Sequence, residues 1–170
     1  MHVLRDMMIE HGIRAGDVQS LSVRMPDKEL EIVNNREMPD ISVQHLLALM
    51  LVDGSVTFAS AHDYGRLRDK HILAVRKRIE AIGDASLTDP QRRWRAVIDI
   101  VLKDGRSLHH QTMAAKGMFE NPLTPAEEEE KVLDLLIPVL GKARARKLIN
   151  ALWRFDELAD VRELRPLYRV

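Results

Sequence analysis

The spacing of apolar residues predicts a short helix and a strand at the start of the chain. Between Val3 and His11 the apolar residues recur at helical spacing, and Gly12 follows as a helix stop. Residues Asp17 to Met25 then alternate between apolar and polar, which is typical of a strand with one face more exposed to solvent. The polar stretch from Asp27 to Pro39 predicts a helical turn followed by a loop.

The most apolar part of the chain runs from Ser42 to Asp53. Its apolar residues cover nearly every side of a helix, so we expect that helix to be buried, with Asp40 or Ser42 as the N-terminal cap. Three short elements should follow it, in the order helix, helix, strand. They are predicted at Asp63 to Arg68, Lys70 to Arg76 and near Val75 to Ile82, ahead of a loop from Asp84 to Pro90.

A β-hairpin is the clearest local prediction of the sequence. Trp94 to Lys103 and Arg106 to Met113 are two strand-forming runs separated by Asp104 and Gly105. An Asp-Gly pair between alternating apolar residues favours a tight hairpin turn.

The last third of the chain is predicted to be helical. Thr124 precedes Pro125 and stands three residues before Glu127, the pattern of a capping box with proline at the first helical position. The first helix after this box should carry an apolar stripe that faces the core, and Gly141 should end it. A second helix and a short closing segment should follow. The stripe is Leu133, Leu136, Ile137 and Leu140, the second helix is Ala143 to Phe155, and the closing segment is Val161 to Tyr168.

Together these elements predict an α+β fold with two layers. A small, mostly antiparallel sheet should carry helices packed on one face, with further helices at the C-terminus. The length of 170 residues suits one domain, with an α+β core over about 16–120 and C-terminal helices over 124–170.

Composition excludes several functional classes. The 26 basic and 26 acidic residues cancel, so nothing in the overall charge attracts nucleic acid or an anionic membrane surface. An aromatic content of 4% is too low for base-stacking platforms. The absence of cysteine excludes disulfides and thiolate metal sites, and with no signal or membrane-spanning pattern it favours the cytoplasm.

No established catalytic signature is present, so candidate chemistry depends on single residues. His45 lies within the most apolar helix, where it is either a core histidine bonded to backbone or a group facing a cleft. His62 precedes a run of cations that includes Arg66, which is either a carboxylate-binding patch or a solvated surface.

Other conspicuous residues have structural explanations. His109 and His110 are strand neighbours that point to opposite faces, so no metal site is expected. The acidic run from Glu127 to Glu130 suits the start of a helix. Trp94, Trp153 and Phe155 are expected to fill the core or an interface.

Several segments, in fixed order, resemble the C-terminal half of the MmgE/PrpD family. This family includes 2-methylcitrate dehydratase, cis-aconitate decarboxylase and iminodisuccinate epimerase. The segments are MPDISVQHLLALMLVDG at residues 38–54, the strand pair around Val97 to Leu108, ENPLT at 120–124 and LWRFDELADV at 152–161.

The resemblance implies the lid domain of a lyase or isomerase. Relatives act on small di- or tricarboxylates without an organic cofactor, in a cleft between this lid and an N-terminal helical domain, which we expect to be missing here. His45 falls where many relatives place a tyrosine facing the cleft, which makes it the candidate catalytic residue, with His62 and Arg66 as candidate substrate-binding residues.

This hypothesis predicts one of two protein partners. The lid should need a helical domain or subunit of the same family for activity, or should form a homo-oligomer through uncovered apolar surface. The alternative is a vestigial interaction domain that self-associates and catalyses nothing.

Overall fold

The computed structural model describes residues 1–89 and 95–169, so Trp94 lies outside the described residues. The chain forms two compact units, one ending at Asn121 and the other beginning at Pro122, and each is described by itself. The prediction of one domain over the whole chain stays a prediction. The first unit contains α1 (His2–His11), β1 (Val18–Met25), α2 (Asp27–Val33), α3 (Val43–Asp53), α4 (Phe58–Ala61), α5 (Lys70–Arg76), β2 (Ile79–Gly83), β3 (Ala96–Leu102) and β4 (Ser107–Thr112).

The four strands form one mixed sheet in the order β2-β1-β3-β4. β1 pairs with β2 in parallel, whereas the pairs β1–β3 and β3–β4 are antiparallel. The parallel pair needs a crossover, which the helices between β1 and β2 supply. The predicted α+β class and the mostly antiparallel sheet are confirmed.

Helices cover one face of this sheet. Leu21 of β1 lies between Ile79 of β2 and Ile100 of β3, and all three side chains are buried. Because side chains alternate along a strand, this register places one apolar row towards the helices. The helices contribute buried apolar residues to the same core, among them Leu4 of α1, Leu47 of α3 and Ile72 of α5.

The opposite face of the sheet carries a polar row. Asp99 of β3 accepts a hydrogen bond from Arg24 of β1 at 3.3 Å, and its other oxygen lies 2.6 Å from Nδ1 of His109 on β4. Both contacts lower the pKa of the Asp99 carboxyl, and the hydrogen bond with His109 has the larger effect. The pairing also places His109 and His110 on opposite faces, opposite Asp99 and Ile98.

Helix α3 is buried on nearly every side, as its sequence predicted. Leu47, Ala48 and Leu49 are each at most 2% exposed, and the helix ends at Gly54. Its start differs from the prediction. Ser42 occupies the N-cap position, but its side chain makes no capping hydrogen bond, and its buried hydroxyl has no partner in the described residues.

Between α3 and β2, the observed start of the strand differs from the predicted one. The strand begins at Ile79, so Val75 belongs to α5 and not to the strand. The carboxylate of Asp69 caps α5 by accepting from the backbone N–H of His71, and a helix begun in this way continues through Val75.

The second unit is helical, with α6 (Pro125–Leu140), α7 (Lys142–Leu152) and α8 (Arg165–Tyr168). Short 3₁₀ turns at Phe155–Glu157 and Val161–Leu164 separate α7 from α8. The predicted capping box is confirmed, because Thr124 N–H donates to Glu127 at 2.8 Å and Glu127 N–H donates to Oγ1 of Thr124 at 3.3 Å.

Two predictions for this unit are wrong. No residue of α6 is fully buried, and Ile137 of the predicted stripe is 37% exposed, because too little of the chain packs over this helix. The following helix ends at Leu152 and not at Phe155. Trp153 and Phe155 are about half exposed, so they do not fill the core, and their proposed role in an interface stays a prediction.

No helix in the described part of the chain combines the length and apolar character that crossing a bilayer requires.

The hairpin turn gives a test of the fold. Gly105 has φ of 90°, a conformation that strains any L side chain, whereas Gly16 has open space around it and no positive φ. We expect Gly105→Ala to lower the free energy of unfolding by about 1 kcal/mol. The matched change Gly16→Ala should alter it by less than about 0.5 kcal/mol. Urea unfolding of both variants measures the difference, and equal losses would contradict the turn geometry.

Candidate functional site

His45 is the polar centre of the first unit. Helix α3 carries it into the core, where its side chain is 0% exposed. Neither ring nitrogen has a hydrogen-bond partner within the described residues, and the same holds for the hydroxyl of Ser42, one turn earlier on the same helix. A buried polar atom without a partner costs roughly 1–3 kcal/mol, so such a group needs a functional or structural explanation.

The start of α3 is fixed by the residue next to His45. Gln44 donates to Oδ1 of Asn34 at 2.6 Å and accepts from the backbone N–H of Asn35 at 2.9 Å. Asn35 has a positive φ of 47°, and its side chain accepts from Arg76 of α5 at 3.2 Å. Arg76 therefore bonds a neutral amide and has no carboxylate partner within the described residues.

The end of α3 is fixed by Arg66. Its guanidinium donates to both oxygens of Asp53 at 2.6 Å and to Asp69 at 3.1 Å. Asp53 is the last residue of α3 and Asp69 is the cap of α5, so Arg66 links the two helices. One guanidinium nitrogen, Nη2, contacts both oxygens of Asp53 while Nη1 bonds Asp69, so Arg66 divides its donors between two partly buried carboxylates.

The environment keeps the His45 ring neutral. Burial lowers the pKa of His45 below its ordinary value of 6.5, and the positive charges of Arg76 and Arg66 lower it further. A neutral imidazole has one acceptor nitrogen and one donor nitrogen, so it can take a proton from one group and donate to another. With cations nearby, the arrangement suits proton transfer on a molecule that carries carboxylates.

His62 stands apart from this centre. Its Nδ1 lies 2.7 Å from the carbonyl oxygen of Phe58 and its Nε2 lies 3.9 Å from Asp40. The Phe58 and His62 rings are 4.1 Å apart. His62 is exposed and bonds within its own helical turn, so its role as a substrate-binding residue stays a prediction.

The structure distinguishes the two hypotheses for His45 only in part. His45 does lie in the core, at 0% exposure, and faces no open cleft in the described residues, but the hydrogen bond to backbone that was expected of a core histidine is absent from them. Its catalytic role stays a prediction. Arg66 is engaged by two carboxylates, and its role in substrate binding also stays a prediction.

Sequence reasoning missed Arg76 and the hydroxyl of Ser42. Arg76 lies 31 positions after His45, and only the packing of α5 beside α3 brings its charge near the ring. No pattern in the sequence signals that approach. Ser42 was expected to cap the helix, and it occupies the N-cap position without making the capping hydrogen bond.

No group of three or more histidine and acidic side chains in residues 1–89 and 95–169 is arranged to hold a metal ion.

The family model for the MmgE/PrpD C-terminal domain matches residues 1–156. The chain belongs to the MmgE/PrpD family. The match covers all of the first unit and continues into the second, so it includes His45, His62 and Arg66. A comparison with curated proteins finds no match.

Within this MmgE/PrpD domain, the matched part ends before the last two helical elements. The Val161–Leu164 turn and helix α8 lie beyond residue 156. The family match therefore includes the segment that carries His45 and stops short of the Val161–Leu164 turn and α8.

The pH dependence of stability tests the state of His45. The unfolded chain takes up the His45 proton near pH 6.5, whereas the folded chain resists it. The free energy of unfolding should therefore fall as the pH drops below 6.5, by at most about 1.4 kcal/mol per pH unit for this one proton. Carboxyls such as Asp99, whose ordinary pKa is 3.8, change the free energy of unfolding only at lower pH.

Matched variants isolate this effect. His45→Gln should flatten the profile between about pH 5 and 6.5, because glutamine does not titrate. His110→Gln, at an exposed position of β4, should keep the wild-type slope. Urea unfolding across this range measures both, and a wild-type slope in His45→Gln would contradict the buried, neutral ring.

Proposed function

We propose that this chain is the C-terminal lid of a lyase or isomerase that acts on a small di- or tricarboxylate such as 2-methylcitrate. His45 is the group that transfers the proton. The helical domain of the same family supplies the other wall of the cleft and the remaining groups. Dehydration, decarboxylation and epimerisation all begin at a carbon next to a carboxylate, so one setting suits this whole reaction class.

The setting of His45 carries this proposal. Its ring is fully buried, has no hydrogen-bond partner in the described residues, and has its pKa lowered by burial and by two arginines. An imidazole held neutral in this way is in the unprotonated base form at neutral pH, and a substrate carboxylate beside it would offset the arginine charges that weaken its basicity. Perturbed, unpartnered titratable groups are concentrated at functional sites, because folding stability alone gives no reason to keep them.

The roles of the two arginines differ in this proposal. Arg76 is bonded only to a neutral amide, so its charge remains available to a substrate carboxylate. Arg66 is already bonded to Asp53 and Asp69, and it holds α3 and α5 in place around the ring. A cation beside the base stabilises the negative charge that develops when the carbon loses its proton.

The second wall is the part of the proposal that concerns access to His45 and the groups that His45 cannot supply. With 0% of its side chain exposed, His45 can meet a substrate only when α3 becomes part of an open cleft. Proton chemistry also needs an acid for the leaving group and further carboxylate-binding groups. By family resemblance, the helical domain provides them.

A non-catalytic, self-associating domain is the second candidate function. Exposed apolar side chains of the second unit favour it, since Leu152, Trp153 and Phe155 are 46%, 49% and 54% exposed. Apolar surface of this kind usually acquires a partner. A helical subunit or a second copy of the chain would serve equally well.

Reconstitution tests the proposal. The 170-residue chain should not turn over 2-methylcitrate alone, and should do so after co-expression with a helical domain of the family. In the active complex, His45→Gln should lower kcat by about 10²-fold or more, the loss expected for a general base. His45→Tyr, the residue that relatives carry, should retain some activity with an altered pH profile.

His71→Gln provides the matched control, because His71 is exposed on α5 and should leave kcat within about twofold of wild type. Turnover by the isolated chain would contradict the need for a second wall. A stable complex in which His45→Gln keeps full activity would contradict the role of His45. A stable homodimer without any helical partner or activity would favour the interaction domain.

A further inference from the structure

The second unit contains an open cavity of about 610 Å³ whose lining is dominated by arginine. Its lining residues are Arg144, Arg162, Arg165, Pro166 and Arg169. The 26 basic and 26 acidic residues of the whole chain cancel, so this concentration of positive charge is local.

Three elements bring these side chains together. Arg144 comes from α7, Arg162 from the Val161–Leu164 turn, and Arg165 and Arg169 from α8 and the residue that follows it. Arg144 donates to the backbone carbonyl of Arg169 at 2.9 Å, which ties α7 to the end of α8. The buried side chain of Leu164 anchors the turn between them.

Most of the arginines that line this cavity have no carboxylate partner in the described part of the chain. Arg162 is paired with Asp160, to which its Nε donates at 2.7 and 2.9 Å. Arg144, Arg165 and Arg169 have no carboxylate partner within the described residues. Among the described residues, three guanidinium groups thus share one cavity without a carboxylate partner, an arrangement that costs repulsion unless an anion reduces it.

We propose that this cavity binds a small polyanion that carries at least two carboxylate or phosphate groups. A guanidinium presents a planar fork of N–H donors that matches a carboxylate or a phosphate oxygen pair. Several forks around one cavity match a ligand with several such groups. The volume also exceeds what one monoanion would fill.

This inference goes beyond the proposed function. The turn Val161–Leu164 and α8 lie outside residues 1–156, the part that the family model matches. The cavity also uses none of the residues around His45, so loss of one activity leaves the other measurable.

Calorimetric titration of the full chain with pyrophosphate and, separately, with citrate tests the inference. Both probes should bind at low salt, and the tighter one identifies the phosphate or the carboxylate class. The double variant Arg165→Gln/Arg169→Gln should weaken binding of that probe by about tenfold or more, because it removes charge-assisted hydrogen bonds.

The matched control is Arg146→Gln/Arg154→Gln, which removes the same charge from exposed positions of the second unit outside the cavity. It should change the dissociation constant by less than about threefold, the effect of distant, screened charge. Thermal unfolding checks that each variant folds. Arg165→Lys/Arg169→Lys keeps the charge and loses the fork, so it should bind more weakly than wild type.

Two outcomes would overturn the inference. One is that neither probe binds the wild-type chain at millimolar concentration. The other is that both glutamine double variants weaken binding equally, which would mean diffuse attraction to the surface and not a site.

Discussion

The burial of α3 on all sides is the constraint on which the first unit depends. An apolar helix in this position needs helices and a sheet around it, and β1, β3, α1 and α5 supply them. The same burial encloses His45 and the hydroxyl of Ser42 without hydrogen-bond partners in the described residues. Stability alone would favour leucine at such a position, so the retained imidazole calls for a functional explanation.

The polar contacts around α3 fit that explanation. Gln44 and Asn35 fix the start of the helix, and Arg66 fixes its end through Asp53. The helix that carries the ring is held at both ends, while Arg76 adds positive charge and has no carboxylate partner among the described residues. An unprotonated base near cations suits proton removal beside a carboxylate.

Local sequence rules predicted much of the fold. The hairpin at Gly105 and the capping box at Thr124 each depend on residues a few positions apart, and both are confirmed. Where packing between distant elements decides the outcome, the sequence was less informative. The exposure of Ile137 depends on how much chain covers α6, and the periodicity of one helix carries no such information.

The candidate site shows the same division. His45 could be found from the sequence, because a histidine within an apolar helix is unusual and because the family resemblance falls on that segment. Arg76 could not be found, since its approach depends on how α5 lies beside α3. The engagement of Arg66 by Asp53 and Asp69 could not be foreseen either, because cations and carboxylates that share a surface have many possible partners.

The second unit differs from the first in having a smaller buried core. Its helices bury few residues completely, and its distinctive features are the exposed Trp153 and the arginine-lined cavity. Exposed apolar surface suits a partner, and concentrated positive charge suits an anion. The first unit thus encloses an unpartnered histidine, whereas the second exposes apolar and cationic side chains.

The protonation state of His45 tests the central claim most directly. Nitrogen NMR of the chain labelled at histidine follows each imidazole through a pH titration. We expect the His45 ring to stay neutral at pH 6.5, with a midpoint below that value. A His45 midpoint at or above 6.5 would contradict the buried, cation-flanked base on which the proposed chemistry depends.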